Sequence, residues 1–449
     1  VAHTCLPPLT TAVGEPHEGA APVSYTAGSP GTHTNTALLQ APTCDANTML
    51  QRCRHLSRLA RMPAQRSIAL ARTPPFALER YFAEHEFSCK ISACSSDTEA
   101  ISLNDVLALM DAEMRRLWDE QSLGYTEVKG HPAMLALLAE AYGLEPHCFQ
   151  EVAPQEGILL AYAALLEPGD GVVCTAPGYQ SFHTCAEQAG GAVTFWQCRV
   201  DESGARFDVD DLVKACDATP NLKVVSVNFP HNPTGALPSS EEWARIVAIC
   251  EARGAYLFAD EIYRGLGPRT LESAATAYDK GISLGGLSKS MGMPGVRIGW
   301  LATRDVRFLR RVAELRDYTT ICSSAPSQIL AIAALQNRDH LWHRANAYVD
   351  AGRRAVEAVL ARHEDVLSWG PAAGPVGWVR LRRGSASTYA EALVRSDDGI
   401  MLLPSTVFGA GDGHVRVGFG RDASPAYMAA WAATLDDAAH PATQLLREG

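Results

Sequence analysis

From Phe76 onward the chain alternates short apolar runs with polar turns. Beyond Tyr125 the runs are separated by stretches whose apolar residues recur every three or four positions. Short runs bounded by Gly, Pro, Asn or Asp suit strands buried on both faces, and helical spacing between them suits crossover connections. The pattern therefore predicts an α/β fold with a mostly parallel sheet and helices on both faces. Strands are expected at 171–175, 192–197, 223–228, 255–259, 282–285 and 297–302. One intervening helix is legible in detail. Ser239 and Glu242 have the spacing of a capping box, Trp243, Ile246, Val247 and Cys250 share one face, and Gly254 supplies a stop. After about residue 325 the helical segments lengthen and the strands read as antiparallel, which suggests a second, smaller α+β domain. The expected division is an extension at 1–75, the first part of the small domain at 76–122, a large domain at 123–325 and the rest of the small domain at 326–445. No internal repeat is visible.

Composition narrows the class. Of 449 residues, 47% are hydrophobic and 20% charged, the profile of a soluble globular protein. A formal net charge of -11 argues against a nucleic-acid partner, which would call for a basic face. The 12 cysteines are scattered without a C-x-x-C pair, as expected of buried thiols in a reducing compartment. The longest apolar run, near Ile158 to Leu166, is too short to span a bilayer, so no membrane partner is expected. Residues 1–50 contain no Lys or Arg and read as disordered. Between Gln51 and Arg72 there are six arginines and no acid. That composition fits either an organelle transit peptide starting near Met49 or a basic solvated tail, so the compartment is read as cytoplasmic or, with a presequence, mitochondrial or plastid.

Three strand ends carry candidate chemistry. In "GLSKSMGMPGVRIGW", Lys289 lies among small residues. A lysine amine held neutral by its surroundings is a nucleophile toward carbonyls. Gly285 and Gly286 permit close approach of backbone to a ligand, Ser288 offers a hydroxyl, and Arg297 offers a planar fork for a phosphate. In "AYLFADEIY", an apolar strand ends in Asp260, Glu261 and Tyr263. Ligands bind at the carboxyl ends of parallel strands, where a carboxylate can keep a ring nitrogen protonated. In "NFPHNPTG", two prolines stiffen a third strand end and Asn232 can donate to a ring oxygen. Each alone would read as an ordinary turn or solvated group; together they do not. The histidines lack ligand spacing, so no metal site is expected. The stretches "GLGPRT" and "GAGDGHV" lack the strand–turn–helix setting of a nucleotide loop.

With NPTG, D-x-x-Y, S-K and R-x-G in that order, the chain resembles the class I/II aminotransferases of the fold-type I pyridoxal-phosphate enzymes over roughly residues 76–437. The resemblance implies pyridoxal 5'-phosphate as cofactor, amino acid and 2-oxo acid substrates, and a homodimer. It makes Lys289 the Schiff-base lysine and Asp260 the partner of the ring nitrogen. Asn232 and Tyr263 match the groups that hold the ring oxygen, and Tyr179 in "APGYQSF" the aromatic stacked on the ring. Gln155, Ser288 and Arg297 match phosphate ligands, and Tyr125 in "GYTEVKGHPAML" the tyrosine that reaches the phosphate across a dimer interface. Arg416 in "HVRVGFG", with Asn232, matches the receptor for the substrate carboxylate. Lys289, Asp260 and Tyr179 are the expected catalytic residues.

Two positions depart from the family pattern. The phosphate-binding turn reads Ala153-Pro154-Gln155, and Pro154 has no N–H to give. Gly286 stands where a serine is common. Transamination is the expected activity, because no dedicated acid for a β-leaving group is evident. The stretch beginning "ALERYFAEHEFSCK" and the "NFPHNPTG" turn are similar to capreomycidine synthase-like cyclodehydratases, so elimination or cyclisation of a β-substituted amino acid is the alternative. A regulator's sensor domain would need a helix-turn-helix, and residues 1–75 show no such pattern. No second arginine stands out as receptor for a side-chain carboxylate.

Overall fold

The computed structural model describes residues 73–370 and 372–448. The transit-peptide or tail stretch and all but the last three residues of the expected extension lie outside them.

Seven strands build the main sheet: β1 (Phe149–Val152), β2 (Gly171–Ala176), β3 (Ala192–Gln197), β4 (Leu222–Asn228), β5 (Tyr256–Asp260), β6 (Gly281–Gly286) and β7 (Gly299–Ala302). Their order is β1-β7-β6-β5-β4-β2-β3, and β7 alone runs antiparallel to its neighbours. All six expected strands are present within a residue or two. The strand pattern missed β1, whose Phe149-Gln-Glu-Val152 is too short and too polar to stand out. Alternate strand residues feed two cores. Val224, Phe258 and Ile282 pack against the helices Pro154–Leu165 and Val306–Arg316. Val225, Leu257 and Ala259 pack on the other face, against Val209–Asp217 and Ser240–Arg253.

The capping box of that last helix forms as expected. Glu242 N donates to Ser239 Oγ at 3.1 Å, Ser239 N donates to the Glu242 carboxylate at 2.7 Å, and Gly254 ends the helix at φ 63°. Trp243, Ile246, Val247 and Cys250 are its buried face.

Downstream lies a four-stranded antiparallel sheet, β8 (Leu367–Ser368), β9 (Val376–Leu381), β10 (Leu403–Pro404) and β11 (His414–Gly418), in the order β8-β9-β11-β10. The 25-residue helix Arg338–Arg362 and the helix Ser424–Asp436 pack on it around Val349, Val356, Phe419 and Trp431. The N-terminal segment joins this region: Ile91–Ser92 pairs in parallel with Ile400–Met401, and Gly418 N donates to Ala93 O at 2.9 Å. Among the described residues, no helix is long and apolar enough to cross a membrane.

Candidate active site

Register sets the site. Asn228, Asp260 and Leu284 are aligned across β4, β5 and β6, so the loops that follow these strands leave the sheet side by side. They open into a cleft of about 310 Å³, within the range of small-molecule sites. Nine of the ten expected residues line it: Gln155, Tyr179, Asn232, Asp260, Tyr263, Ser288, Lys289, Arg297 and Arg416. Tyr125 does not. It is 89% exposed, on a segment tied to 316–324 by the Thr126 Oγ1 to Ser323 O and Arg316 Nη1 to Val128 O hydrogen bonds. Leu123, Tyr125, Val128, Tyr318 and Ile321, all exposed, belong to these two linked segments.

The floor is rigid and interlinked. Asn228 Nδ2 donates to Asp260 O at 3.0 Å, and Asn228 Oδ1 accepts from Asn232 N at 2.8 Å. Asp260 is buried and accepts from Ile262 N at 3.1 Å. Burial pushes its carboxyl up to about 7, with the Ile262 amide and the Lys289 charge opposing. Burial also pulls the Lys289 amine below the ordinary lysine range, against the pull of Asp97. Lys289 Nζ donates to Ser96 Oγ at 3.1 Å, and Thr98 Oγ1 donates to Lys289 O at 2.6 Å. The Tyr263 hydroxyl is raised to about 12, chiefly by burial. Glu261, its neighbour in the motif, turns away from the cleft and accepts from Ala274 N at 2.9 Å.

Arg416 is 1% exposed. Its Nη1 donates to Asn232 Oδ1 at 2.8 Å and its Nη2 to Cys94 O at 2.7 Å, while Nε has no partner. A buried guanidinium with an unused donor is poised for an anion. Arg297 corrects the strand expected to begin there. It closes the turn Pro294–Val296 in a left-handed conformation, φ 58°, and its Nη1 bonds Pro294 O at 2.9 Å, so β7 begins two residues later.

The two departures from the family pattern meet in space. Gly286 and Gly299 are register partners on β6 and β7, and the Pro154 ring lies over both. A Cβ at Gly286 would come within 2.9 Å of Pro154 Cγ, and one at Gly299 within 2.8 Å. A side chain at 286 and a proline ring at 154 claim the same volume. Pro154 also starts the helix Pro154–Leu165, where its missing N–H costs no intrahelical bond. The Gln155 side chain donates to Ser181 Oγ.

Further side chains in the cleft were not expected, among them Glu79, Glu86, Ser96, Asp97 and Arg421. They sit on the N-terminal segment, singled out in the sequence only by its similarity to cyclodehydratases, and five residues past Arg416. Arg421 grips Asp97 bidentately, with nitrogen–oxygen distances of 3.0 to 3.2 Å.

The donor set fits pyridoxal 5'-phosphate. A lysine held toward neutrality, a buried carboxyl suited to a cationic ring nitrogen, the aromatic Tyr179 and polar donors at Gln155, Ser288 and Arg297 line one cleft.

Comparisons agree with this chemistry. The sequence pattern of the family described as aminotransferase class I and II matches residues 94–430. Capreomycidine synthase of Streptomyces vinaceus is 28% identical over 358 residues, covering 77% of this chain and 89% of that protein. A probable N-acetyl-LL-diaminopimelate aminotransferase of Bacillus subtilis is 28% identical over 283 residues, 62% of this chain and 70% of its own. Among solved structures, a PLP-dependent aminotransferase from Streptococcus suis superposes with a TM-score of 0.75 at 26% identity, over 81% of this chain and 98% of its own. The PLP-dependent cyclase OrfR superposes at 0.74 and 25%, over 86% and 99%. The chain belongs to the class I and II aminotransferase family, with the fold-type I architecture and pyridoxal 5'-phosphate as its cofactor.

Proposed function

We propose that the protein transfers the amino group of an α-amino acid to a 2-oxo acid. The observation that carries this reading is the convergence of Lys289, Asp260 and Arg416 on one cleft at the carboxyl ends of β4, β5 and β6. When bound, the cofactor supplies an aldehyde and an electron-withdrawing ring that acidifies the substrate's Cα–H. Asp260 would hold the ring nitrogen protonated, and Asn232 and Tyr263 would hold the ring oxygen. Tyr179 would pack on the ring, and Gln155, Ser288 and Arg297 would hold the phosphate. Arg416, oriented by Asn232, clamps the α-carboxylate and thereby points the Cα–H toward Lys289. Lys289, favoured as the neutral amine by burial, would take that proton at its Nζ. Residues 76–122 and 326–445 are assigned to one small domain flanking this site.

Tyr125 belongs to the proposal through a second copy of the chain. The exposed apolar residues around it form a surface suited to a two-fold contact that brings it to the partner's phosphate site. Activity that persists in demonstrably monomeric protein contradicts this.

A second reading, β-elimination or cyclisation, is favoured by one observation beyond the similarity to capreomycidine synthase and OrfR. Glu86 lines the cleft, and burial raises its carboxyl above the ordinary range, so an acid for a β-leaving group is at hand. Single-turnover mixing without an acceptor oxo acid separates the two. One equivalent of 2-oxo acid per site supports amino transfer; repeated release of ammonia, water or a cyclised product supports the second reading.

A further inference from the structure

Two of the four carboxylates that line the cleft lie on one helix and are not engaged by its cations. Along Ala77–His85 and its cap, Glu79, Phe82 and Glu86 follow at three- and four-residue spacing and form a single stripe on the cleft wall, with Leu78 beside it. Asp97 is matched by Arg421. Among the described residues, the Glu86 carboxylate has neither an ion pair nor a hydrogen bond, and the Glu79 carboxylate has only the Tyr179 hydroxyl at 3.3 Å. Burial raises the Glu86 carboxyl, with Asp97 and Glu79 adding to the rise and Arg421 opposing it. Arg416, a buried guanidinium with one unpartnered donor, lines the same cleft and is the group suited to an anion.

Resting on the reading of this cleft as an amino-acid site, we propose that Glu79 and Glu86 form its side-chain subsite and that the substrate is an α-amino acid ending in a cation, a guanidinium or an ammonium. With the α-carboxylate on Arg416, the distal cation reaches Glu86, and Glu79 closes over it from the open mouth. Leu78 and Phe82 receive the aliphatic stem, and the Phe82 ring face adds attraction for the cation. A side-chain carboxylate would meet two like charges, and Arg421, engaged by Asp97, is not free to receive it. A neutral side chain would leave Glu86 half-enclosed without a counter-charge. Beside a bound cation Glu86 is ionised, so it cannot protonate a leaving group of the same substrate.

The test titrates the visible absorption band of the cofactor-loaded full chain with L-arginine, L-ornithine, L-citrulline, L-norvaline and L-glutamate. Citrulline is the neutral counterpart of arginine and isolates the charge. Arginine or ornithine is expected to shift the band at concentrations at least about tenfold below citrulline or norvaline, as a charge-assisted contact provides. Glu86→Gln, checked for retained cofactor, should remove most of that preference, and Glu79→Gln, at the screened mouth, less of it. Citrulline or norvaline acting as well as arginine overturns the proposal without any variant. A Glu86→Gln protein that keeps the preference also overturns it. If no amino acid moves the band while borohydride still fixes the cofactor on Lys289, the amino-acid reading itself has failed, and this inference with it.

Discussion

The two walls of the cleft are built differently. The strand-end wall, from Asn228 through Asp260 to Lys289, is largely buried and cross-linked: Asn228 bonds Asp260 O and Asn232 N, Asp260 accepts from Ile262 N, and Lys289 donates to Ser96. The helical wall of Glu79, Phe82 and Glu86 is open to solvent at one end and leaves a carboxylate unpartnered. Chemistry that must place a proton within fractions of an ångström needs the first kind of wall. Selection among side chains needs the second, whose groups are left free until a ligand arrives.

If that contrast holds, damage to the strand-end wall should strike turnover and damage to the helical wall should strike choice of substrate. Lys289→Ala should have the largest effect, a loss of turnover of at least about a thousandfold. Borohydride reduction and peptide mapping of the unsubstituted protein should find the cofactor on Lys289, and a label on another lysine sinks the assignment.

Asp260→Asn comes next, with a loss of about a hundredfold or more while the fold is kept. The same variant has a signature without any substrate. A carboxyl raised to about 7 in the folded chain, against an unfolded value near 3.9, keeps its proton in the fold while the unfolded chain has lost it. The stability of cofactor-free protein should therefore fall as pH climbs from about 4 to about 7. Asp260→Asn should flatten part of that slope in thermal midpoints. Glu86, Glu151 and Glu261, also raised by burial, contribute to the remainder. An unchanged slope means that Asp260 is already ionised in the folded chain.

Arg416→Lys should raise KM about tenfold, because an ammonium cannot keep both Asn232 and the substrate carboxylate in one plane. An unaltered KM places the carboxylate elsewhere in the cleft. The smallest effect concerns stability. Gly286→Ser should destabilise by about 1–3 kcal/mol against the Pro154 ring and the Ile262 side chain. Adding Pro154→Ala should recover part of the loss in a denaturant titration, and strict additivity of the two substitutions rules out a shared volume.

The same contrast explains what the sequence disclosed. Strand ends are written as contiguous motifs, so NPTG, D-x-x-Y and S-K could be placed on β4, β5 and β6 before any coordinates. Nine of the ten named residues share the cleft. The helical wall is assembled from residues more than two hundred positions from Lys289, and its segment is joined to the strand-end wall by contacts such as Thr98 to Lys289 O and Cys94 O to Arg416. No periodicity in 77–99 signals such a meeting. Arg421 was equally invisible, since only Asp97, brought in by the pairing of Ile91–Ser92 with Ile400–Met401, gives it a role. Neither Tyr125 nor its segment could be judged from one chain, because its surroundings in the proposed dimer lie in another copy.

The proline over the paired glycines also constrains the route by which such a chain can change. From a relative with a serine at 286 and a small residue at 154, a proline arriving first would bring its ring against the serine Cβ and lower stability. Loss of the side chain at 286 before or with it avoids that cost. In the reverse direction the proline is favoured to leave before the serine returns. The pair therefore ranks the paths between the two states by stability and couples the two positions through one shared volume, while the opposite wall is free to diversify.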